Sequence, residues 1–248
     1  MVLIKYLQLV GQMVSAIWIL WFIFPRVDRD AQLNEIQVWA KKTLQVMGLR
    51  VHHEEASSAA QLSTMPLILV ANHVSWLDVL IIQSLQPSIF IAKSEVRQWP
   101  LVGAMAQASG VVFVDRESTR STMKMVESVS LALRQGYCVA GFPEGTSSEG
   151  REVSLFHANL FEAAVHHQIQ VQPLALRYSN PLTGELCSRA AFVGDMGFFN
   201  SLHKVMTAPC IQAGVFRGEM LSPLGHSRRS LANLSHRCVR TQLAALAS

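Results

Sequence analysis

Apolar residues run nearly unbroken from Leu7 to Phe24, with the polar interruptions Gln8, Gln12 and Ser15 confined to the first half. As a helix this stretch spans roughly 27 Å, close to the ~30 Å hydrocarbon core of a bilayer. Pro25-Arg26-Val27-Asp28-Arg29 follows it in place of a small-residue cleavage site, which disfavours a cleaved signal peptide. Trp18, Trp21, Phe22 and Phe24 crowd its end, where interfacial anchors belong. The alternative is a helix buried in the core. Next, Leu33, Ile36, Ala40, Leu44 and Met47 recur at helical spacing beside Lys41 and Lys42, with Gly48 placed to end the helix. The pattern predicts a hydrophobic helical hairpin that dips into a membrane, or a short span followed by a surface helix. Arg26, Arg29, Lys41 and Lys42 put the remainder on the cytoplasmic side.

From residue 51 the pattern changes. Strand-like apolar runs appear at Leu67–Ala71, Ile89–Ala92, Val111–Val114, Tyr137–Phe142, Val171–Leu176, Ala190–Val193 and Ile211–Phe216. Helical patterns separate several of them, most clearly Thr122 to Gln135, with Val126, Val129 and Leu133 on one face and Gly136 after it. Such alternation predicts an α/β domain, a largely parallel central sheet flanked by helices. The expected division is residues 1–50 as membrane-associating helices and 51–248 as the α/β domain. The stretch from Leu221 is Ser/Arg-rich and then weakly helical.

Composition narrows the classes. Half of the 248 residues are apolar and the net charge is only +4, without an aromatic-interleaved basic stripe, so nucleic acid is not an expected partner. Cys138, Cys187, Cys210 and Cys238 form no C-x-x-C pair, and no H-E-x-x-H occurs. No metal is expected, and reduced thiols of a cytosolic compartment fit.

Three polar clusters each follow directly on an apolar strand-like run. The first is Ala71-Asn72-His73-Val74-Ser75-Trp76-Leu77-Asp78. Five helical steps turn through about 500°, so His73 and Asp78 cannot share a helix face. They meet if His73 sits in the loop and Asp78 in the first helical turn, where its carboxylate fixes the tautomer and frees the other ring nitrogen to take a proton. Ser75-x-x-Asp78 also scans as a variant capping box, and the two readings are compatible. The second cluster, Gly110 to Arg116, ends in a guanidinium suited to phosphate or carboxylate, or else in a solvated turn charge between Asp115 and Glu117. The third, Phe142-Pro143-Glu144-Gly145-Thr146-Ser147-Ser148, also reads as a tight turn. In open α/β sheets, ligand sites collect at the carboxyl ends of strands, so the three clusters are expected at one cleft.

Other chemistries are excluded. Gly145 to Glu152 nearly matches a P-loop, but Arg151 replaces the lysine and Glu152 the magnesium-binding hydroxyl. No G-x-S-x-G elbow is present.

At these residues the chain resembles the glycerolipid acyltransferase family, the group containing bacterial 1-acylglycerol-3-phosphate acyltransferases. The resemblance covers roughly residues 65–180. N-H-x-x-x-x-D matches Asn72, His73 and Asp78; G-x-x-F-x-x-R matches Gly110, Phe113 and Arg116. F-P-E-G-T matches Phe142 to Thr146, and an apolar strand bearing a proline matches Val171-Gln172-Pro173-Leu174. The resemblance implies catalysis by His73 and Asp78, with a lipid hydroxyl attacking the thioester of acyl-CoA or acyl-carrier protein. It implies acceptor and acyl-chain contacts from Arg116, Glu144, Gly145, Thr146, Ser147 and Pro173, with Arg116 neutralising Glu144. It requires no cofactor and no metal, and implies membrane lipids as partners at the cytoplasmic face of the bacterial inner membrane.

Family members acting on lysophosphatidate commonly continue F-P-E-G-T with Arg and Ser, whereas Ser147 and Ser148 follow here. The leading expectation is transfer to 1-acylglycerol-3-phosphate. O-acylation of lyso-ornithine lipid or another lysolipid is the alternative, and a non-catalytic lipid-binding protein on the same fold is a second.

Overall fold

The computed structural model describes residues 2–55, 66–98, 102–114 and 119–246. A continuous helical stretch, Val2–Arg26, opens the chain: α1 (Val2–Trp18), a π-turn (Ile19–Ile23) and a 3-10 turn (Phe24–Arg26) in which Pro25 stops the helix. Its 25 residues are long and apolar enough to cross a membrane by length and composition. Only Leu9 and Ala16 are buried. Leu3, Ile4, Leu7, Val10, Val14, Ile17, Trp18, Trp21 and Phe22 face outward, so the helix is not a core helix. Polar bonds fasten its other side to the body. Trp39 Nε1 donates to the Gln12 carbonyl at 2.9 Å, and the Tyr6 hydroxyl meets His203 Nδ1 at 2.9 Å.

Helix α2 (Arg29–Met47) begins where Asp28 accepts a bond from the Ala31 N–H at 2.9 Å and ends at Gly48, whose φ of 83° disfavours a side chain. Ala40, Thr43, Leu44 and Met47 are buried, and β1 (Leu49–Glu55) follows at once. The boundary expected at residue 50 therefore falls inside β1, and α2 packs with the body rather than lying apart with α1. Polar residues kept β1 from being read as a strand: Arg50, His52, His53 and Glu54 suit an edge, and an edge is where it lies.

The remaining strands are β2 (Ile68–Ala71), β3 (Ile89–Lys93), β4 (Val112–Val114), β5 (Val139–Gly141), β6 (Val171–Ser179) and β7 (Ile211–Arg217). With β1 they form a seven-stranded sheet in the order β1-β7-β6-β2-β5-β3-β4, parallel at every pairing except β6 with β7. The α/β expectation holds. Ala190–Val193, expected as a strand, is irregular; the Phe192 N–H instead donates to the Val74 carbonyl at 2.9 Å, fastening this segment over the loop after β2.

Helices α3 (Leu77–Leu85), α4 (Val102–Ala108), α5 (Thr119–Arg134), α6 (Phe161–His167), α7 (Phe198–Met206) and α8 (Arg228–Ala245) complete the fold. Side chains alternate across each strand, which divides the core in two. Leu69, Ala71, Leu174, Leu176 and Tyr178 pack with α2, α3 and α7 on one face. Ile68, Val70, Val171 and Ala175 pack with α5, α6 and α8 on the other. Full burial of a Leu or Ile such as Leu69 or Ile82 is worth about 1.5–3 kcal/mol, so the loops between these layers stand on a rigid base.

Candidate active site

Strands β2 and β5 are neighbours, Val70 opposite Gly141, and the polypeptide leaves their carboxyl ends in opposite directions across the sheet. The connection from β2 leads to β3, that from β5 to β6 on the far side of β2. Such a reversal opens a crevice at the strand ends, and both the His73 loop and the Glu144 loop begin there.

Asn72 anchors the first loop. Its side-chain amide donates to the Leu176 carbonyl at 2.9 Å, and its oxygen accepts from the Leu176 N–H at 2.7 Å. This buried pairing extends the β2–β6 ladder one rung with a side chain in place of backbone. His73 follows. Its Nδ1–H donates to Asp78 Oδ2 at 2.8 Å, and its ring stacks on Phe142 with centroids 4.1 Å apart and planes at 11°.

Asp78 is fully buried and accepts from every side. Oδ2 also takes the Val74 N–H at 2.8 Å and the Ser75 N–H at 2.9 Å, while Oδ1 takes the Tyr178 hydroxyl at 2.6 Å. Two backbone N–H groups already make Oδ2 an acceptor, so the proton of the ring bond sits on Nδ1 and leaves Nε2 with a free lone pair. The His73 side chain is 22 % exposed, which leaves the ring accessible. Asp78 thus ties the loop to the start of α3 through the Val74 and Ser75 N–H groups and holds the imidazole by one bond. The Ser75 hydroxyl takes no part in the cap; it is buried without a hydrogen-bond partner among the described residues.

Glu144 plays a different part from the one expected of it. Its Oε1 accepts the His73 N–H and its Oε2 the Ser154 N–H, both at 2.7 Å, so the carboxylate pins the backbone of the His73 loop. Both oxygens are engaged inside the protein. Burial pushes the Glu144 carboxyl above the ordinary glutamate range, against the lowering effect of the two N–H donors. A carboxyl with a raised folded-state pKa costs stability as it ionises. Stability is therefore expected to fall as pH rises from the ordinary glutamate range through the raised value, and Glu144→Gln should flatten that slope. Chemical denaturation across this range reads the result; an unchanged slope in the variant would assign it to another group.

Gly145 closes the turn with φ 80°, its N–H donating to the Phe142 carbonyl at 3.1 Å, as the tight-turn reading requires. Thr146 is exposed. The Ser147 hydroxyl donates to the Phe192 carbonyl, and the Ser148 N–H to the His73 carbonyl at 2.9 Å. Together with the Phe192–Val74 bond these knit three loops around His73. Pro173 is buried within β6 opposite Val70, its carbonyl accepting the Gly218 N–H at 2.9 Å, so it belongs to the scaffold rather than to a substrate surface. Arg116 lies outside the described residues. Phe113, in the middle of β4, carries the Arg97 guanidinium 4.6 Å above its ring, a cation on this sheet edge that the sequence reading did not single out. Among the described residues no three His, Cys, Asp or Glu side chains gather as a metal site.

Trp76 extends the network outward. Its Nε1–H donates at 3.0 Å to the buried Ser201 hydroxyl on α7, the helix whose His203 meets Tyr6 of α1. Tyr178 and Trp76 are supporting residues to which reasoning from sequence gave no role, and Asn72 entered only within the N-H-x-x-x-x-D match. Only Asn72 and Trp76 carried a local signal, their position within the His73 stretch.

Comparison with known proteins agrees with this site. A family model described as Acyltransferase matches residues 48–177. The lyso-ornithine lipid O-acyltransferase of Rhizobium meliloti is 34% identical over 203 residues, covering 77% of this chain and 68% of that protein. The protein of that name from Pseudomonas aeruginosa is 31% identical, covering 76% and 72%. A 1-acyl-sn-glycerol-3-phosphate acyltransferase of Neisseria gonorrhoeae is 36% identical over 57% of this chain and 54% of its own. The crystal structure of the 1-acyl-sn-glycerophosphate (LPA) acyltransferase PlsC from Thermotoga maritima superposes with a TM-score of 0.69 over 99% of this chain and 98% of its own. At 23% identity that likeness concerns the fold. The chain belongs to the acyltransferase family and is a lysolipid acyltransferase.

Proposed function

We propose that the protein transfers an acyl group from a thioester, acyl-CoA or acyl-carrier protein, to the free hydroxyl of lyso-ornithine lipid at the cytoplasmic face of a bacterial inner membrane. The observation that carries the catalytic part is the Nδ1–H bond from His73 to buried Asp78, which leaves Nε2 as a base. Nε2 takes the proton of the lipid hydroxyl while its oxygen attacks the thioester carbonyl carbon. The tetrahedral intermediate collapses with cleavage of the carbon–sulfur bond, and the imidazolium returns its proton to the departing thiolate. Backbone N–H groups of the surrounding loops would stabilise the oxyanion. This route consumes no cofactor and passes through no acyl-enzyme.

The choice of acceptor rests on position 147 and on the relatives. Ser147 turns its hydroxyl onto the Phe192 carbonyl, so the residue after F-P-E-G-T offers a head group neither charge nor a free donor hydrogen. The two relatives named for lyso-ornithine lipid align over about three quarters of this chain, against 57% for the 1-acyl-sn-glycerol-3-phosphate acyltransferase of Neisseria gonorrhoeae. Lysophosphatidate remains the second reading because that shorter alignment is the more identical, at 36%. The test is a competition: purified protein, acyl-CoA, and lyso-ornithine lipid mixed with lysophosphatidate in vesicles, with thiol release and product ratio recorded. Ornithine lipid should dominate. Preferential formation of phosphatidate would reverse the acceptor assignment, and absence of thiol release with every lysolipid and either donor would refute the activity.

A further inference from the structure

Tyr178 lies at the carboxyl end of β6, 1% exposed, and its hydroxyl donates to Asp78 Oδ1 at 2.6 Å. The charged and titratable groups in contact with the catalytic pair come from three elements. Asp78 lies on α3, Tyr178 on β6, and Glu144 on the loop after β5, where it accepts the His73 backbone N–H and also feels the charge of the His73 ring. Of the four donors to Asp78, two are loop N–H groups and one is the imidazole itself. Only the phenol sits on a strand independent of that loop.

We propose that Tyr178 is a positioning residue that sets the proton affinity of His73 through Asp78, keeping the imidazole neutral, and therefore active, into more acidic conditions. This rests on His73 acting as the general base. A donor on Oδ1 draws charge from the carboxylate and weakens its hold on an imidazolium, so His73 takes up a proton less readily. Burial and the neighbouring Asp78 carboxylate push the Tyr178 phenol well above the ordinary tyrosine range, so it remains a donor throughout the working pH. Packing alone is satisfied by phenylalanine.

The experiment is the pH profile of kcat in vesicles for two variants, Tyr178→Phe and site-specific Tyr178→3-fluorotyrosine. The profile should show an acid limb where His73 protonates. Removing the hydroxyl should move that limb to higher pH by about half a unit to one unit, with KM for both substrates unchanged. The more acidic fluorophenol donates more strongly and should move the limb the opposite way. Opposite displacements with constant KM support the proposal. An unmoved limb in the fluorinated protein, or displacement in the same direction in both, overturns it, even if Tyr178→Phe folds poorly. His73→Ala separates this from the underlying reading: if that variant retains turnover, the general-base assignment has failed, whereas an inactive His73→Ala with unmoved limbs removes only the role of Tyr178.

Discussion

Replacing His73 by alanine is expected to leave a folded, membrane-bound protein whose turnover is lower by about 10²–10⁴. The fold tolerates the change because the ring is only a partial core element. It lies on Phe142 and remains partly exposed, while the backbone N–H that Glu144 holds is present in alanine too. The loss is chemical. Without Nε2 the lipid hydroxyl must attack with its proton still attached or wait for water to remove it. Thiol release measured alongside circular dichroism and melting temperature checks both halves, and wild-type turnover in a well-folded variant would remove His73 from the mechanism.

Asp78→Asn is expected to lower turnover at least as far and to lower the melting temperature as well. Four hydrogens point at this carboxylate: Val74 N–H, Ser75 N–H, the Tyr178 hydroxyl and His73 Nδ1–H. Asparagine offers one accepting oxygen, so its NH₂ must face one of the two donor sets, and nothing in this buried place replaces the lost acceptor. Each buried group left unpaired costs about 1–3 kcal/mol. If the amide faces His73, the imidazole is driven to the other tautomer and the proton moves onto Nε2, abolishing the base. If it faces the phenol instead, the Tyr178 hydroxyl must reorient. A variant with wild-type activity and a depressed melting temperature would mean that Asp78 only ties the loop to α3.

The His73–Asp78 pairing was legible because it is local. His73 and Asp78 lie five residues apart, and a strand followed by a helix start brings them within reach of each other. The sheet was legible where its strands are apolar throughout, as parallel strands covered on both faces must be. What escaped depends on contacts distant in sequence. Tyr178 is 100 residues from Asp78, and apolar alternation along β6 indicates burial without saying which group its hydroxyl meets. The resemblance implied Glu144 at the head group with Arg116 neutralising it, and Arg116 lies outside the described residues. Two backbone N–H groups, from His73 and Ser154, hold the Glu144 oxygens, and backbone donors leave no mark in a sequence. The segment Ala190–Val193 misled for the opposite reason: its apolar residues do cover a core, but as a strap over the His73 loop rather than as a rung of the sheet.

The outward row of Leu, Ile, Val and Trp side chains on α1 changes what concentration means for this enzyme. Once that row lies in a lipid surface, enzyme and acceptor meet in two dimensions, and the acceptor's mole fraction in the surface replaces its molarity in the rate law. Adding inert lipid at constant acceptor then slows the reaction although nothing has left the tube. A bilayer that converts its own lysolipids lowers that fraction with every turnover, so the membrane's composition limits the rate and its repair brings the reaction to rest.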